Sequence, residues 1–366
     1  MPCVYDRDGS HAKRSKGSTK SPPVAFQPTP KDLDPYADAP EEQDCLFSAA
    51  NDDERDPPEG RTRRMLETRL MHQYITETGI LLTIDEVSRD FFTVNVPEFS
   101  FTSDALLYSM YTAAALHLER IGKDVGFPLE GVATKYCSMA LREHKKEIAN
   151  LNRETVDPVC LTSCMIRCCA SVQLQGRSLR PYTPPWEWLA LTKTSATVFL
   201  EAWKLVGVDQ NSVTFRLIDS TRHIHDEDLR LGRKGSRRRL EHLMRRDLSD
   251  STTSEPWDEE IQATYENTLE YIGRVLDLKE QGIRSSEICR MLVMFPMMAE
   301  MRFIDLVRER SPRALVVLAH YFALYANHSD IWFIGDAGSK EVRALAEELT
   351  GEWRELMDWP MKMIEK

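Results

Sequence analysis

Apolar positions along this chain follow two regimes: from Arg61 onward they recur at helical spacing, and before it they do not. Leu107, Tyr111, Ala114, Leu118 and Ile121 lie four, three, four and three residues apart, which sets them in one stripe along a helix. That stripe predicts a core-facing side. Ala314 to Ala326 is apolar throughout except for His320, so the helix it predicts belongs in the middle of the body rather than on its surface. Start signals punctuate the pattern. Thr83 with Glu86 three residues later predicts a capping box ahead of Val87, Phe91 and Phe92. Asp157-Pro158, Thr183-Pro184 and Ser311-Pro312 each set a capping oxygen before a proline, where the missing N–H costs nothing, and predict three further helix starts. Alternation of the strand type is almost confined to Phe92-Thr93-Val94-Asn95-Val96. The pattern predicts an all-α fold, a multi-helix body spanning 61–366. No repeat of fixed period occurs, although helix-loop-helix spacing leaves a solenoid-like arrangement open.

The first sixty residues change the picture through charge. Residues 1–30 carry five basic and two acidic side chains, and 31–60 carry two basic and eleven acidic ones. Both blocks are rich in Pro, Asp and Ser and poor in periodic apolar positions, so they bury too little surface to offset the entropy of ordering. Residues 1–60 are expected to be a disordered linker, basic and then acidic. Tyr36, Leu46 and Phe47 among the carboxylates also suit an activation segment, although a solvated linker is favoured. The whole chain of 366 residues has a formal net charge of −11, which opposes binding to duplex DNA, because that affinity comes mainly from Lys and Arg neutralising phosphates. Its longest apolar run is shorter than a membrane span needs, and the N-terminus lacks an apolar secretion segment. An intracellular protein is expected. Eight cysteines without paired spacing suit a reducing compartment.

Candidate chemistry is sparse. Asp52-Asp53-Glu54-Arg55-Asp56 matches the DDxxD pattern by which all-α isoprenoid synthases hold magnesium, with Asp52, Asp53 and Asp56 as the carboxylates. It lies in the acidic linker with no second motif, and coincidence is favoured. Cys160, Cys164, Cys168 and Cys169 fall on one predicted helix. Thiols strung along a helix cannot surround a tetrahedral ion, so core packing is favoured over metal or redox sensing. His223 and His225 beside Asp226 are a weaker candidate for a metal. His320 is a candidate catalytic base by residue type alone, and a buried, hydrogen-bonded core histidine is favoured. Arg233, Lys234, Arg237, Arg238 and Arg239 form a candidate nuclear-import patch, balanced against a solvated loop, within the basic stretch 222–246 that predicts an exposed loop. No glycine-rich phosphate loop, HExxH, G-x-S-x-G or CxxC occurs, so no enzyme is expected.

Two stretches carry a family resemblance. The first runs from Leu70-Met71-His72-Gln73-Tyr74 through Val96-Pro97-Glu98-Phe99 to Leu106–Leu118, ending in Ala115-Leu116-His117-Leu118. The second is Pro312–Leu324 with its Ala319-His320-Tyr321 run, then Trp332-Phe333-Ile334-Gly335-Asp336, Trp353 and Trp359-Pro360. In this order they resemble the regulatory domain of fungal binuclear zinc-cluster transcription factors, especially the sterol-uptake regulators. The resemblance implies a nuclear regulator of RNA polymerase II transcription of metabolic or sterol-related genes, cytoplasmic when inactive, with coactivators or related factors as protein partners. It also implies a DNA reader in which six cysteines bind two zinc ions. Only Cys3 can match a ligand, as the sixth, so zinc is expected only if a cluster precedes Met1. One thiolate cannot hold it. Without that cluster the chain would be a reader-less modulator acting through protein or hydrophobic-ligand binding. His320, Tyr321, Trp332, Trp353 and Trp359 then suit the wall of a pocket for a ligand such as a sterol, with ordinary core packing favoured.

Overall fold

The computed structural model describes residues 60–123, 126–220, 235–245 and 256–365. Every regular element among them is helical, and no strand occurs among the described residues. Helix α1 (Arg61–Gln73) continues through a π-helical turn, Tyr74–Thr78, into Gly79–Leu81. Helix α2 (Glu86–Asp90) continues likewise through Phe91–Asn95 into Val96–Phe99. The two π-turns meet: the Tyr74 hydroxyl donates to Phe92 O at 3.0 Å. A Cβ at Gly79 would come within 3.1 Å of the same carbonyl. Then follow α3 (Asp104–Ile121), α4 (Val132–Ala149), α5 (Val156–Gly176), α6 (Trp186–Val206) and α7 (Val213–Asp219). After a 3₁₀ helix, Ser236–Met244, come α8 (Glu259–Glu280), α9 (Ser285–Met298), α10 (Met301–Arg308) and α11 (Pro312–Tyr325). Helices α12 (Ala337–Glu348), α13 (Gly351–Glu355) and α14 (Asp358–Ile364) close the body. None of the described helices is long and apolar enough to cross a membrane.

Helix α11 is the axis of the C-terminal half. Every residue from Arg313 to Tyr325 is buried, and the helix touches α8, α9, α10, α12, α13, α14 and the 3₁₀ helix. Pro312 sits at its first position after Ser311, as the sequence predicts, but the Ser311 hydroxyl makes no cap bond and meets the Tyr265 hydroxyl at 3.0 Å instead. Helix α3 plays the same part at the other end, packed on α1, α4 and α5. Ala113, Ala114 and Ala115 are fully buried there, because small side chains let neighbouring helices approach closely. Ser103 caps its start by accepting from Leu106 N at 3.1 Å. Gly122, at φ 61°, turns its end so that Lys123 N donates back to Leu118 O. A smaller apolar cluster, Val156, Val159 and Cys160 against Val198, Ala202 and Val206, joins the start of α5 to the end of α6.

Local signals fare unevenly. The cap before α2 is Asp85, whose carboxylate accepts from Ser88 N at 2.9 Å. Thr83 instead donates its hydroxyl to Ile80 O. Asp157 falls inside the first turn of α5 and serves a different helix: it accepts from Thr214 N at 2.8 Å and Val213 N at 3.1 Å, at the start of α7. The helix after Thr183-Pro184 begins only at Trp186. Residues 92–96 are helical, since Phe92 and Val96 are buried on one side of a π-turn rather than alternating across a sheet. On α3 the predicted stripe is buried at Tyr111, Ala114 and Leu118, but Ile121 reaches solvent.

The segment between α5 and α6 is fastened by one buried ion pair. Arg177 donates Nε and an Nη to the two carboxylate oxygens of Glu341 on α12 at 2.6 and 2.7 Å. Tyr182 adds its hydroxyl to Glu341 at 3.2 Å, and the guanidinium lies over its ring. The bidentate geometry satisfies both partners and makes the burial tolerable.

Candidate functional site

The residues singled out for a pocket fall in two places. On α11, His320 and Tyr321 are buried. The His320 ring stacks on Trp359 at 5.1 Å and 6°, and Nδ1 donates to Val316 O at 2.9 Å. Burial pushes its imidazole down to about 4, so it is neutral at neutral pH. Its Nε2 is buried and has no hydrogen-bond partner among the described residues, while His242 of the 3₁₀ helix lies 6.3 Å away, ring to ring. Tyr321 donates its hydroxyl to Leu292 O at 3.0 Å and stacks on Phe295 at 4.2 Å. Trp353 lies over the guanidinium of Arg313, and Trp257 and Tyr265 lie on the same cation. Arg313 also donates to the backbone carbonyls of Leu243 and Arg245. It thus ties the end of the 3₁₀ helix to α11.

Trp332 is elsewhere. Its ring meets the edge of His117 on α3 at 5.3 Å, and its carbonyl accepts from Gln175 at 3.0 Å. It lines a cleft of about 320 Å³ together with Ile80, Leu81, Ile84, Ser286, Cys289 and Asp330. Cys289, His328 and Asp330 border the same cleft, but burial raises the Cys289 thiol far above its ordinary range and lowers the His328 imidazole. A thiol so held is a poor nucleophile.

The basic stretch is a docked helix over its described part. Arg237 pairs with Glu266 of α8 at 2.5 Å. Arg239 pairs with Glu280 and lies 3.6 Å from Asp277. Arg238 is exposed. Leu240 and Leu243 are buried beneath, so this part is not the exposed loop that composition predicts. Arg233, Lys234, His223, His225 and Asp226 lie outside the described residues, as do Cys3, Asp52, Asp53 and Asp56.

Cys160, Cys164, Cys168 and Cys169 are all buried on α5. Burial pushes Cys160 and Cys168 up to about 12, and no group of three or more His, Cys, Asp or Glu fit for a metal occurs among the described residues.

The chain is similar to two fungal transcription factors. It is 27% identical over 331 residues to the Zn(2)-C6 fungal-type transcription factor afumD of Aspergillus fumigatus, in an alignment that takes in 89% of this chain and 77% of that protein. It is 25% identical over 317 residues to a Zn(2)-C6 fungal-type transcription factor of Gibberella zeae, over 82% of this chain and 62% of that protein. The chain thus spans less than two thirds of the second relative's length. No protein-family model matches it.

Beside these zinc-cluster relatives, the features that reading the sequence missed are the cleft at Trp332 and the acidic stripe on α8. The cleft draws on three separated segments, and no local pattern joins them. The stripe was legible: Glu266, Glu270, Asp277 and Glu280 recur at spacings of four, seven and three, which puts them on one helical face.

Proposed function

We propose that this chain carries the helical regulatory body of a nuclear transcription regulator of the fungal zinc-cluster class. The observation that carries the reading is the alignment with the Aspergillus fumigatus factor, which extends over 331 residues and is not confined to one motif. An all-helical body supports it. DNA contact is assigned to a six-cysteine cluster of which Cys3 would be the last ligand. The described thiols do not fit that role: they are buried, and burial disfavours the thiolate that zinc requires. The body acts instead by conformation. A ligand or protein partner that prefers one of its states shifts it by the difference in affinity.

Metabolic or sterol-related target genes and a hydrophobic ligand are the finer part of the proposal. The cleft beside Trp332, with Ile80 and Leu81 on its rim, is the place where such a ligand would dock, and its 320 Å³ is at the low end of ligand-pocket sizes. Fusing the full chain to an unrelated DNA-binding domain and placing that domain's site before a fungal reporter tests the regulatory role. A change in transcription of either sign is expected, and an expressed, nuclear fusion that leaves the reporter untouched would overturn it. Saturable binding of a fluorescent sterol, weakened by Ile80→Asp, tests the ligand.

A further inference from the structure

The strongest unexplained arrangement is the seat of the 3₁₀ helix on α8. Glu266, Glu270, Gly273, Asp277 and Glu280 follow one another at spacings of four, three, four and three, a single face of the helix. Glu270 accepts from three successive backbone N–H groups, Ser236 at 3.0 Å, Gly235 at 3.1 Å and Arg237 at 3.3 Å. It fills the positive end of the 3₁₀ helix with a carboxylate. Gly273 is where the two backbones touch: a Cβ there would stand 2.3 Å from Ser236 O and 2.6 Å from its carbonyl carbon. On either side of this contact, Arg237 lies on Glu266 and Arg239 on Glu280. The Arg239–Glu280 pair is exposed, 47% and 59%, and the Arg237–Glu266 pair is about a third exposed, 35% and 29%, so solvent and salt compete with both, more with the first.

We propose that the Arg237–Arg239 face is a docking surface for a protein partner with an acidic surface, and that the acidic stripe of α8 occupies it in the closed state. The stripe is itself a template of such a partner, since it already holds these arginines with carboxylates at helical spacing. Gly273 sets the fit, and the two pairs, open to solvent in part, can exchange partners while buried Leu240 and Leu243 keep the 3₁₀ helix anchored. The inference goes beyond the regulatory role and does not depend on it.

Two changes open the surface by different means. Gly273→Ala strains the seat of the 3₁₀ helix without altering charge, and Glu266→Gln with Glu280→Gln and Asp277→Asn removes the carboxylates that compete for the two arginines without altering shape. The probe is a fluorescent oligoglutamate peptide titrated against the full chain at low salt, with helicity checked by circular dichroism. Both variants should bind about five-fold more tightly than the parent, the scale of a pair of exposed ion pairs, and the gain should vanish when Arg237→Ala and Arg239→Ala are added. Unchanged affinity in the charge variant overturns the proposal, as does a gain that survives loss of the arginines. Should Gly273→Ala fail to fold, the charge variant decides alone. If the opened chain takes a DNA duplex in preference to oligoglutamate at equal salt, the surface reads nucleic acid and the assignment to a protein partner is wrong.

Discussion

Arg177 and Arg239 both pair with a glutamate on another helix, yet the two pairs do different work. Arg177 is 7% exposed and Glu341 1%, whereas Arg239 is 47% exposed and Glu280 59%. At the buried pair every charged atom is bound: two parallel hydrogen bonds join the partners, Thr183 O accepts from Arg177 at 2.7 Å, and Tyr182 covers the guanidinium. Burial pushes the Glu341 carboxyl above its ordinary range, and Arg177 and Tyr182 pull it back. Such a pair fixes the path of the chain, because either partner alone would be a buried charge. At the surface pair water replaces the partner at little cost. Location rather than residue type decides which arginine is structural and which is available for exchange.

The sharpest way to break this comparison is to remove one buried partner. Arg177→Ala should lower stability by about 3–5 kcal/mol, because Glu341 is left buried and unpaired; the urea midpoint measures it, and a loss below about 1 kcal/mol would erase the distinction. Next in size is Arg313→Leu. It strips the carbonyls of Leu243 and Arg245 of a charged donor and removes the cation from three aromatic rings, a loss of about 2–4 kcal/mol by the same measurement. Buried neutrality gives a third test. The unfolded chain protonates His320 near its ordinary 6.5, but the folded chain does so only near 4. Stability therefore falls as pH drops through that window, by about 2 kcal/mol between pH 7 and pH 5 from this group. His320→Phe should flatten that share of the slope, read from urea midpoints at the two pH values. Smallest is Arg237→Ala, expected to cost less than about 1 kcal/mol and to cost still less as salt rises.

The same contrast explains what was legible in the sequence. The burial of α11 could be read directly, since an apolar run with Ser311-Pro312 at its start leaves few alternatives. Helix starts were harder. Asp157 carries the chemistry of an N-cap but spends its carboxylate on α7, fifty-six residues away in sequence at Val213, and nothing beside it announces that partner. The run Phe92 to Val96 alternates like a strand, and only the crossing with Tyr74 and Gly79 reveals a π-turn. Among the site candidates, His320 and Trp359 do come together, whereas Trp332 lies against His117. Aromatic spacing along the chain carries no information on which helix each ring will meet. The pairing of Glu341 with Arg177 was invisible for the same reason.

The cysteines of α5 also give the body a clock. Cys160, Cys164, Cys168 and Cys169, with Cys137 and Cys289 nearby in burial, are shut away as unreactive thiols while the helices are packed. A thiol-alkylating reagent can reach them only when the surrounding helices separate. In excess reagent their labelling rate reports how often the core opens. Following Cys289 and Cys160 separately, by mass of their peptides, would show whether the cleft side and the α5–α6 side breathe together or one before the other.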